Sequence, residues 1–266
     1  MTAPADVYDA LPAEPSGTAV LLLAGSSGRL EQGRADLLAA HGARVRAMRW
    51  FGGLGQRPAP HEVPLELFLA EMDRLRGDSD RVALFGTSFG AEAVLTVASV
   101  AEVDATIAVA PSSVVWAGET GGDWSSHWTL DGIPLPFVPF EPSWRPSTDP
   151  PEYRSLYLQS LRRDPVVTDA GRIPVERIGG EVLLVVGGDD RVWPSDAFAE
   201  QIVQARQAAE LATTVVSHPD AGHRMLLPGE TAMPGGIRMA RGGGATADAA
   251  LGALAWPEIV RMLHLR

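Results

Sequence analysis

Short aliphatic runs alternate along the chain with longer segments in which apolar residues recur at helical spacing, a pattern typical of parallel strands joined by crossover helices. Six runs are apolar enough to be strands buried on both faces: Val20–Leu23, Val45–Met48, Val82–Phe85, Thr106–Val109, Val182–Val186 and Thr214–Ser217. Five segments fit helices, the second and fourth opening with proline: Arg34–His41, Pro64–Arg76, Phe89–Val100, Pro194–Ala209 and Ala247–Leu263. The pattern predicts one α/β domain over residues 1–266, with a mostly parallel sheet flanked by helices.

Two segments interrupt this alternation. The first, residues 114–151, is rich in Trp, Pro and Gly, and connections of this length usually form lids or binding loops. We predict a lid-like insertion after the fourth strand, whose aromatic side chains contact an apolar substrate: Trp116, Trp124, His127, Trp128 and Trp144. The alternative is a loop that packs against the sheet edge. The second segment, Leu227–Gly244, contains three consecutive glycines and is expected to be a surface excursion before the last helix.

Composition and charge exclude several functional classes. Of the 266 residues, 45% are hydrophobic, which is ample for a large core, and the net charge of -11 disfavours nucleic acid and anionic membranes as partners. The chain has no cysteine and no lysine, which excludes disulfides, a cysteine nucleophile, a Schiff base and a P-loop lysine. Since no His, Asp and Glu residues have the spacing of a metal site, we expect neither metal nor cofactor.

The first thirty residues lack the basic start, apolar run and cleavage site of a secretory leader. No apolar stretch is long enough to cross a bilayer. The simplest expectation is a cytoplasmic protein that acts on a small molecule.

The pentapeptide Gly86-Thr87-Ser88-Phe89-Gly90 follows the third predicted strand and precedes a predicted helix. A serine between two glycines at such a turn is typical of the nucleophile elbow of α/β-hydrolases, because the turn is too sharp for bulky residues at the glycine positions. We therefore predict an α/β-hydrolase fold with Ser88 as the nucleophile. The alternative is a glycine-flanked helix start that Ser88 only caps.

A serine hydroxyl needs a base in contact with it and a third group that orients the base. Asp189 and Asp190 follow the fifth predicted strand, and His218 and His223 follow the sixth. Because the carboxyl ends of parallel strands meet at one edge of a sheet, these loops can converge on Ser88. We predict His223 as the base, since it lies on a glycine-containing turn, and Asp190 as its partner, with Asp189 as the alternative.

Acyl transfer also requires donors aimed at the negative oxygen of the tetrahedral intermediate. We predict the backbone amide of Phe89 as one donor and that of Ser26, in the loop Ala24–Gly28, as the other. A phosphate cradle is the competing interpretation of this Gly/Ser loop, but the loop lacks the spacing of dinucleotide and P-loop fingerprints.

These residues and several further motifs resemble the catalytic domain of the bile acid-CoA:amino acid N-acyltransferase and acyl-CoA thioesterase family. The resemblance covers most of the chain and rests on the elbow with Ala91-Glu92, on Ile173–Arg177, Gly187–Asp190, Ala221–His223, Gly242–Gly244 and Ala255–Pro257. It implies a serine, aspartate and histidine at Ser88, Asp190 and His223. Serine at the elbow resembles the hydrolytic branch of the family, in which water is the acceptor.

The chain departs from this family at its start. Members such as the eukaryotic thioesterases carry an N-terminal β-sandwich domain, whereas only about twenty residues precede the first strong strand here. We expect the antiparallel strands that usually open a hydrolase sheet to be missing or supplied by residues near Val7.

The leading hypothesis is hydrolysis of an acyl thioester, carried by coenzyme A or a carrier protein, through an acyl-enzyme. The same groups could instead hydrolyse an ester, lactone or peptide, or transfer the acyl group to an amine or hydroxyl. A further hypothesis is a scaffold that binds a hydrophobic ligand or a protein without catalysis.

Overall fold

The computed structural model describes residues 6–232 and 236–266. Its strands, in chain order, are β1 (Val7–Ala10), β2 (Thr18–Leu23), β3 (Arg44–Met48), β4 (Val63–Pro64), β5 (Arg81–Thr87), β6 (Ala105–Val109), β7 (Ala117–Thr120), β8 (Asp123–Ser126), β9 (Trp128–Leu130), β10 (Ile133–Pro134), β11 (Glu181–Gly187) and β12 (Thr214–His218). Its helices are α1 (Gln32–Ala40), α2 (Glu66–Arg76), α3 (Phe89–Ala98), α4 (Arg154–Arg163), α5 (Pro165–Ala170), α6 (Ser195–Ala208) and α7 (Ala245–Met262), with a short 3-10 helix at Val175–Arg177.

The main sheet of the described chain has seven strands in the order β1-β3-β2-β5-β6-β11-β12. All neighbours are parallel except β1 and β3, which pair antiparallel with Val7 opposite Met48. Residues near Val7 thus supply an antiparallel edge strand, as the sequence predicts. The predicted α/β fold with a mostly parallel sheet is confirmed, and the carboxyl ends of β5, β11 and β12 lie along one edge.

Alternate residues of the central strands pack into two separate apolar layers. On β2, Leu21 and Leu23 belong to the layer formed with α2, α3 and α6, while Val20 and Leu22 belong to the layer formed with α1 and α7. Both sets are fully buried, because side chains alternate across a strand and helices cover both faces of the sheet. The sheet is therefore a rigid frame for the loops at its carboxyl edge.

Two predicted elements differ from the structure. Pro64 does not open α2 but belongs to the short strand β4, where it pairs with Thr129 of β9, so the helix begins at Glu66. The expectation that all six strands are buried on both faces is wrong for β12, which is the sheet's last strand and leaves Val215 45% exposed. An edge strand has a neighbour on one side only, so an apolar sequence does not ensure its burial.

The 114–151 segment contains more regular structure than a loop. Strands β7 and β8 pair antiparallel, and β9 lies between β4 and β10 in a second small sheet. The helices α4 and α5 come after this segment and were not predicted from the sequence. Within the described residues, none of the helices combines the length and apolarity that crossing a membrane requires.

Gly252 allows α7 to pack closely against the backbone of the loop that follows β12. A Cβ added at Gly252 would lie 1.8 Å from the carbonyl oxygen of Leu226, whereas one added at Gly33 in α1 would meet nothing within 4 Å. We expect Gly252→Ala to lower the free energy of unfolding by about 1–3 kcal/mol, as overpacking does. Gly33→Ala should leave it unchanged or raise it by up to about 1 kcal/mol. Urea denaturation measures both, and equal stabilities would contradict this packing.

Candidate active site

Ser88 occupies the sharp turn between β5 and α3. Its backbone is strained, with φ 59° and ψ -122°, and the residue is 8% exposed. A Cβ added at Gly86 would lie 2.0 Å from the carbonyl oxygen of Gly90, and one at Gly90 would lie 2.5 Å from that of Leu23. Gly86 is therefore required for the elbow to turn into α3, and Gly90 for the elbow to pack against β2.

Three side chains from the carboxyl ends of β5, β11 and β12 form one hydrogen-bonded chain. Nε2 of His223 lies 2.8 Å from Oγ of Ser88, and Nδ1 of His223 lies 2.9 Å from Oδ2 of Asp190. Asp190 is 1% exposed and His223 is 8% exposed. The structure brings together the three residues predicted from the sequence, in the order of a hydroxyl, an imidazole and a carboxylate.

The carboxylate of Asp190 is held by three further donors. Its Oδ1 accepts from the backbone amides of Val192 at 2.9 Å and Trp193 at 3.2 Å, and its Oδ2 accepts from Oγ of Ser195 at 2.7 Å. These bonds fix the carboxylate where it meets Nδ1 of His223. Ser195 was not predicted from the sequence, because a serine at a helix start has many possible roles and no spacing rule connects it to the aspartate.

Asp189 points away from the imidazole. Its carboxylate accepts from Nε of Arg191 and from the backbone amide of Gly243, and these bonds lower its pKa. Of the two aspartates left open by the sequence, Asp190 is thus the one in contact with His223.

In the described part of the chain, no group of three or more His, Asp or Glu side chains is placed to hold a metal ion.

The glycine-rich end of the Leu227–Gly244 segment packs against the loops that carry Asp190 and His223. A Cβ added at Gly242 would lie 1.5 Å from the carbonyl oxygen of Asp189, and the amide of His223 donates to the carbonyl of Arg241 at 2.9 Å. Residues 236–238, Gly243 and Gly244 are exposed, as expected for a surface excursion, but Gly242 packs against the backbone of Asp189; residues 233–235 lie outside the described residues. Glycine is needed at position 242 because the chain passes between two backbones, whereas the sequence alone indicates only irregular structure.

Ser26 lies in the exposed turn after β2, and the preceding Gly25 is directly beside the serine of the elbow. A Cβ added at Gly25 would lie 2.8 Å from Cβ of Ser88. Among the described residues, no hydrogen-bond acceptor meets the amide of Ser26 or that of Phe89, the first residue of α3. Two N–H donors on segments that flank Ser88 thus remain available.

The profile of the family described as "BAAT / Acyl-CoA thioester hydrolase C terminal" matches residues 68–265. The chain belongs to this family. The matched range contains Ser88, Asp190 and His223, and the resemblance inferred from the sequence is confirmed.

Curated relatives of the family agree with this assignment. Acyl-coenzyme A thioesterase 1 of Rattus norvegicus is 29% identical over 219 residues, covering 80% of this chain and 50% of the relative. The mitochondrial acyl-coenzyme A thioesterase 2 of the same organism is 25% identical over 226 residues, covering 80% and 46%. The chain thus spans about half the length of these relatives.

A solved structure supports the fold. A protein of Klebsiella pneumoniae subsp. pneumoniae MGH 78578, assigned as a dienelactone hydrolase, superposes with a TM-score of 0.56 at 16% identity and covers 97% of this chain and 92% of its own. A likeness at this identity bears on the fold alone. The chain therefore has the α/β-hydrolase fold that the elbow predicts.

Glu92, in the family motif after the elbow, is a buried anchor for the 114–151 segment. Its Oε1 accepts from the amide of Trp116 at 3.1 Å, from Nδ1 of His127 at 3.0 Å and from Nε1 of Trp128 at 2.8 Å. Glu92 and both tryptophans are 0% exposed. Burial raises the pKa of Tyr157, and the carboxylates of Glu92 and Asp190 add to this effect.

Trp116, His127 and Trp128 were expected to contact an apolar substrate, and that contact stays a prediction; the structure places all three in the interior. The indoles pack in the interior because their polar atoms find buried acceptors there, and His127 is 2% exposed. The ring of His127 nevertheless lies 4.6 Å from that of Phe89, the residue after Ser88. Trp116, His127 and Trp128 thus pack in the core, while the β7–β8 turn between them is exposed.

The two other tryptophans lie nearer the surface. Trp124 is 53% exposed and its ring is 5.8 Å from that of Phe140. Trp144 donates from Nε1 to Oγ of Ser155 and packs beside Tyr153. Their contact with a substrate stays a prediction.

Removal of the Glu92 carboxylate leaves three buried donors without their acceptor. We expect Glu92→Ala to lower the free energy of unfolding by about 3–5 kcal/mol, and Glu92→Gln to cost less because its amide oxygen still accepts. Glu200→Ala, at an exposed position of α6, is the matched control and should change stability by less than about 0.5 kcal/mol. Urea denaturation measures all three, and similar losses in Glu92→Ala and Glu200→Ala would disprove the anchoring role.

Proposed function

We propose that the protein is a serine hydrolase that cleaves an acyl thioester through an acyl-enzyme. The observation that carries this proposal is the chain from Oγ of Ser88 through the imidazole of His223 to the carboxylate of Asp190, with contacts of 2.8 and 2.9 Å. Membership in a family described by acyl-CoA thioester hydrolysis supports the thioester as the bond that is broken.

In the first half of the reaction, Oγ of Ser88 attacks the thioester carbonyl carbon while Nε2 of His223 takes the hydroxyl proton. Asp190 holds the ring in the tautomer with Nδ1 protonated and stabilises the imidazolium that forms. The amides of Phe89 and Ser26 donate to the negative oxygen of the tetrahedral intermediate. Collapse of this intermediate breaks the carbon–sulfur bond, and the thiol leaves with the proton from His223.

In the second half, water replaces the thiol. Nε2 of His223 removes a proton from the water, whose oxygen attacks the acyl carbon on Ser88, and the same nitrogen returns the proton to Oγ as the acid leaves. Both halves use the same contacts, so loss of the Ser88, His223 or Asp190 side chain affects acylation and deacylation together.

Three arginines on the loops around the site favour a phosphate-bearing leaving group such as coenzyme A or a phosphopantetheine arm. Arg29 follows the Ser26 turn, Arg224 follows His223, and the carbonyl of Arg241 accepts from the amide of His223. Burial lowers the pKa of Arg241, and the nearby charges of Arg224 and Arg29 lower it further. In a chain with a net charge of -11, this local concentration of guanidinium groups is suited to binding phosphate.

The nucleophile is tested by removing one oxygen. Ser88→Ala should reduce kcat for thiol release from an acyl-CoA by about 10⁴-fold or more, because the acyl-enzyme cannot form. Ser217→Ala, at an exposed position of β12, should retain full activity. Thiol release followed with a chromogenic disulfide measures both variants, and full activity in Ser88→Ala would refute the proposal. The same acyl group presented as an oxygen ester compares thioester with ester cleavage.

The phosphate interaction is tested with two substrates that share one acyl group. Arg29→Gln and Arg241→Gln should each raise KM for the acyl-CoA by about tenfold, equivalent to about 1.4 kcal/mol, and should leave KM for the acyl N-acetylcysteamine thioester unchanged. Arg57→Gln, an exposed position paired with Glu62, is the control. Equal increases for both substrates would mean that the arginines shape the loops and do not bind phosphate.

A further inference from the structure

Arg34 of α1 is a buried arginine that lies beneath the candidate active site. Its Nε donates to Oε1 of Glu230 at 2.5 Å and its Nη2 donates to Oε2 of Glu230 at 3.0 Å. The two side chains are 9% and 7% exposed. This two-point pairing fixes the plane and direction of the guanidinium, because both partners are planar forks.

The same guanidinium also contacts the two segments that carry Ser88 and His223. Nη1 of Arg34 donates to Oγ1 of Thr87 at 3.2 Å, and its Nη2 donates to the carbonyl of Met225 at 3.1 Å. Thr87 is the residue before Ser88, and Met225 is two residues after His223. One rigid group thus joins the end of β5 to the loop that follows β12.

Glu230 extends this connection along the same loop. Its Oε2 accepts from the amide of Leu227 at 2.8 Å. The carboxylate therefore binds both the guanidinium of Arg34 and the backbone that follows Met225. The guanidinium also lies over the ring of Phe85 at 5.3 Å. Burial disfavours its charge, but the attraction and hydrogen bonds of Glu230 outweigh burial, and the pKa of Arg34 is raised.

We propose that Arg34 is a positioning residue that sets the Ser88–His223 contact by linking Thr87 to the loop around Met225. The proposal rests on the proposed function, since it assigns Arg34 an effect on the step in which His223 takes the proton of Ser88. Arg34 does not touch the reacting atoms. Its effect is on kcat, because proton transfer depends on the distance between Oγ and Nε2, and not on KM.

Arg206 is a second buried arginine, and its hydrogen-bond partners lie away from Thr87 and Met225. Its guanidinium donates to four carbonyls and one hydroxyl, all before the amino ends of β11 and β12 and thus at the opposite ends of these strands from Asp190 and His223: Val175, Ile178, Gly180, Ala212 and Thr213. Replacement of Arg206 therefore removes a comparable set of buried hydrogen bonds without altering the link between Thr87 and Met225.

The experiment combines two mild substitutions with this control. Arg34→Lys retains a positive charge for Glu230 but cannot reach Thr87 and Met225 with a planar fork, and Thr87→Val removes only the acceptor oxygen. We expect kcat for acyl-CoA hydrolysis to fall about tenfold in each variant with KM within twofold of the wild type. The double variant should fall no further than Arg34→Lys alone, because both changes break one contact. Arg206→Lys should lower Tm and leave kcat unchanged.

A second readout separates this proposal from the proposed function. The rate at which a fluorophosphonate modifies Ser88 depends on the Ser88–His223 contact but not on the acyl substrate, and it should fall in the same variants by the same factor as kcat. A wild type that neither hydrolyses thioesters nor reacts with the probe would overturn both proposals. If the wild type reacts with the probe, and if Arg34→Lys and Thr87→Val lower Tm but keep the wild-type kcat and labelling rate, as Arg206→Lys does, the positioning role alone is overturned. Independent, multiplying losses in the double variant would also overturn it.

Discussion

The hydrogen bond of 2.8 Å between Nε2 of His223 and Oγ of Ser88 is the contact on which the candidate active site depends. The two atoms belong to residues 135 positions apart, so no local preference can create the contact. It exists because β5 and β12 lie in one sheet, where parallel strands bring their carboxyl ends to a common edge. The apolar layers on both faces hold this sheet in place. The loops at the carboxyl ends of its strands then position the side chains of Ser88, Asp190 and His223.

Close backbone packing beneath the site gives these loops their order. Gly90 lets the elbow approach β2, Gly86 lets the first turn of α3 fold back onto the end of β5, and Gly242 lets a distant segment pass close to Asp189. Buried polar groups then tie the loops together: Asp190 accepts from two amides and a serine, and Arg34 connects Thr87 with Met225. Each group has its partners, and a buried network of this kind is rigid only when its members are satisfied.

Local sequence patterns were sufficient to predict the parallel sheet, from the alternation of strands and helices, and the elbow, from the glycines around Ser88. They were insufficient where contacts between residues distant in sequence determine the position of a side chain. The indole of Trp128 could cover a pocket or fill the core, and only the position of the Glu92 carboxylate, 36 residues away, determines which. Likewise, Gly242 lies after an irregular stretch, and its role depends on a backbone 53 residues earlier that no periodicity reveals.

Ser88 is proposed to carry the acyl group during turnover, and this central claim has a direct test. The enzyme is mixed with a saturating acyl-CoA, quenched in acid within milliseconds and digested, and the modified peptide is sequenced by mass spectrometry. We expect an added acyl mass on the peptide that contains Ser88, located on that residue by its fragments. An acyl mass on a different residue would contradict the claim.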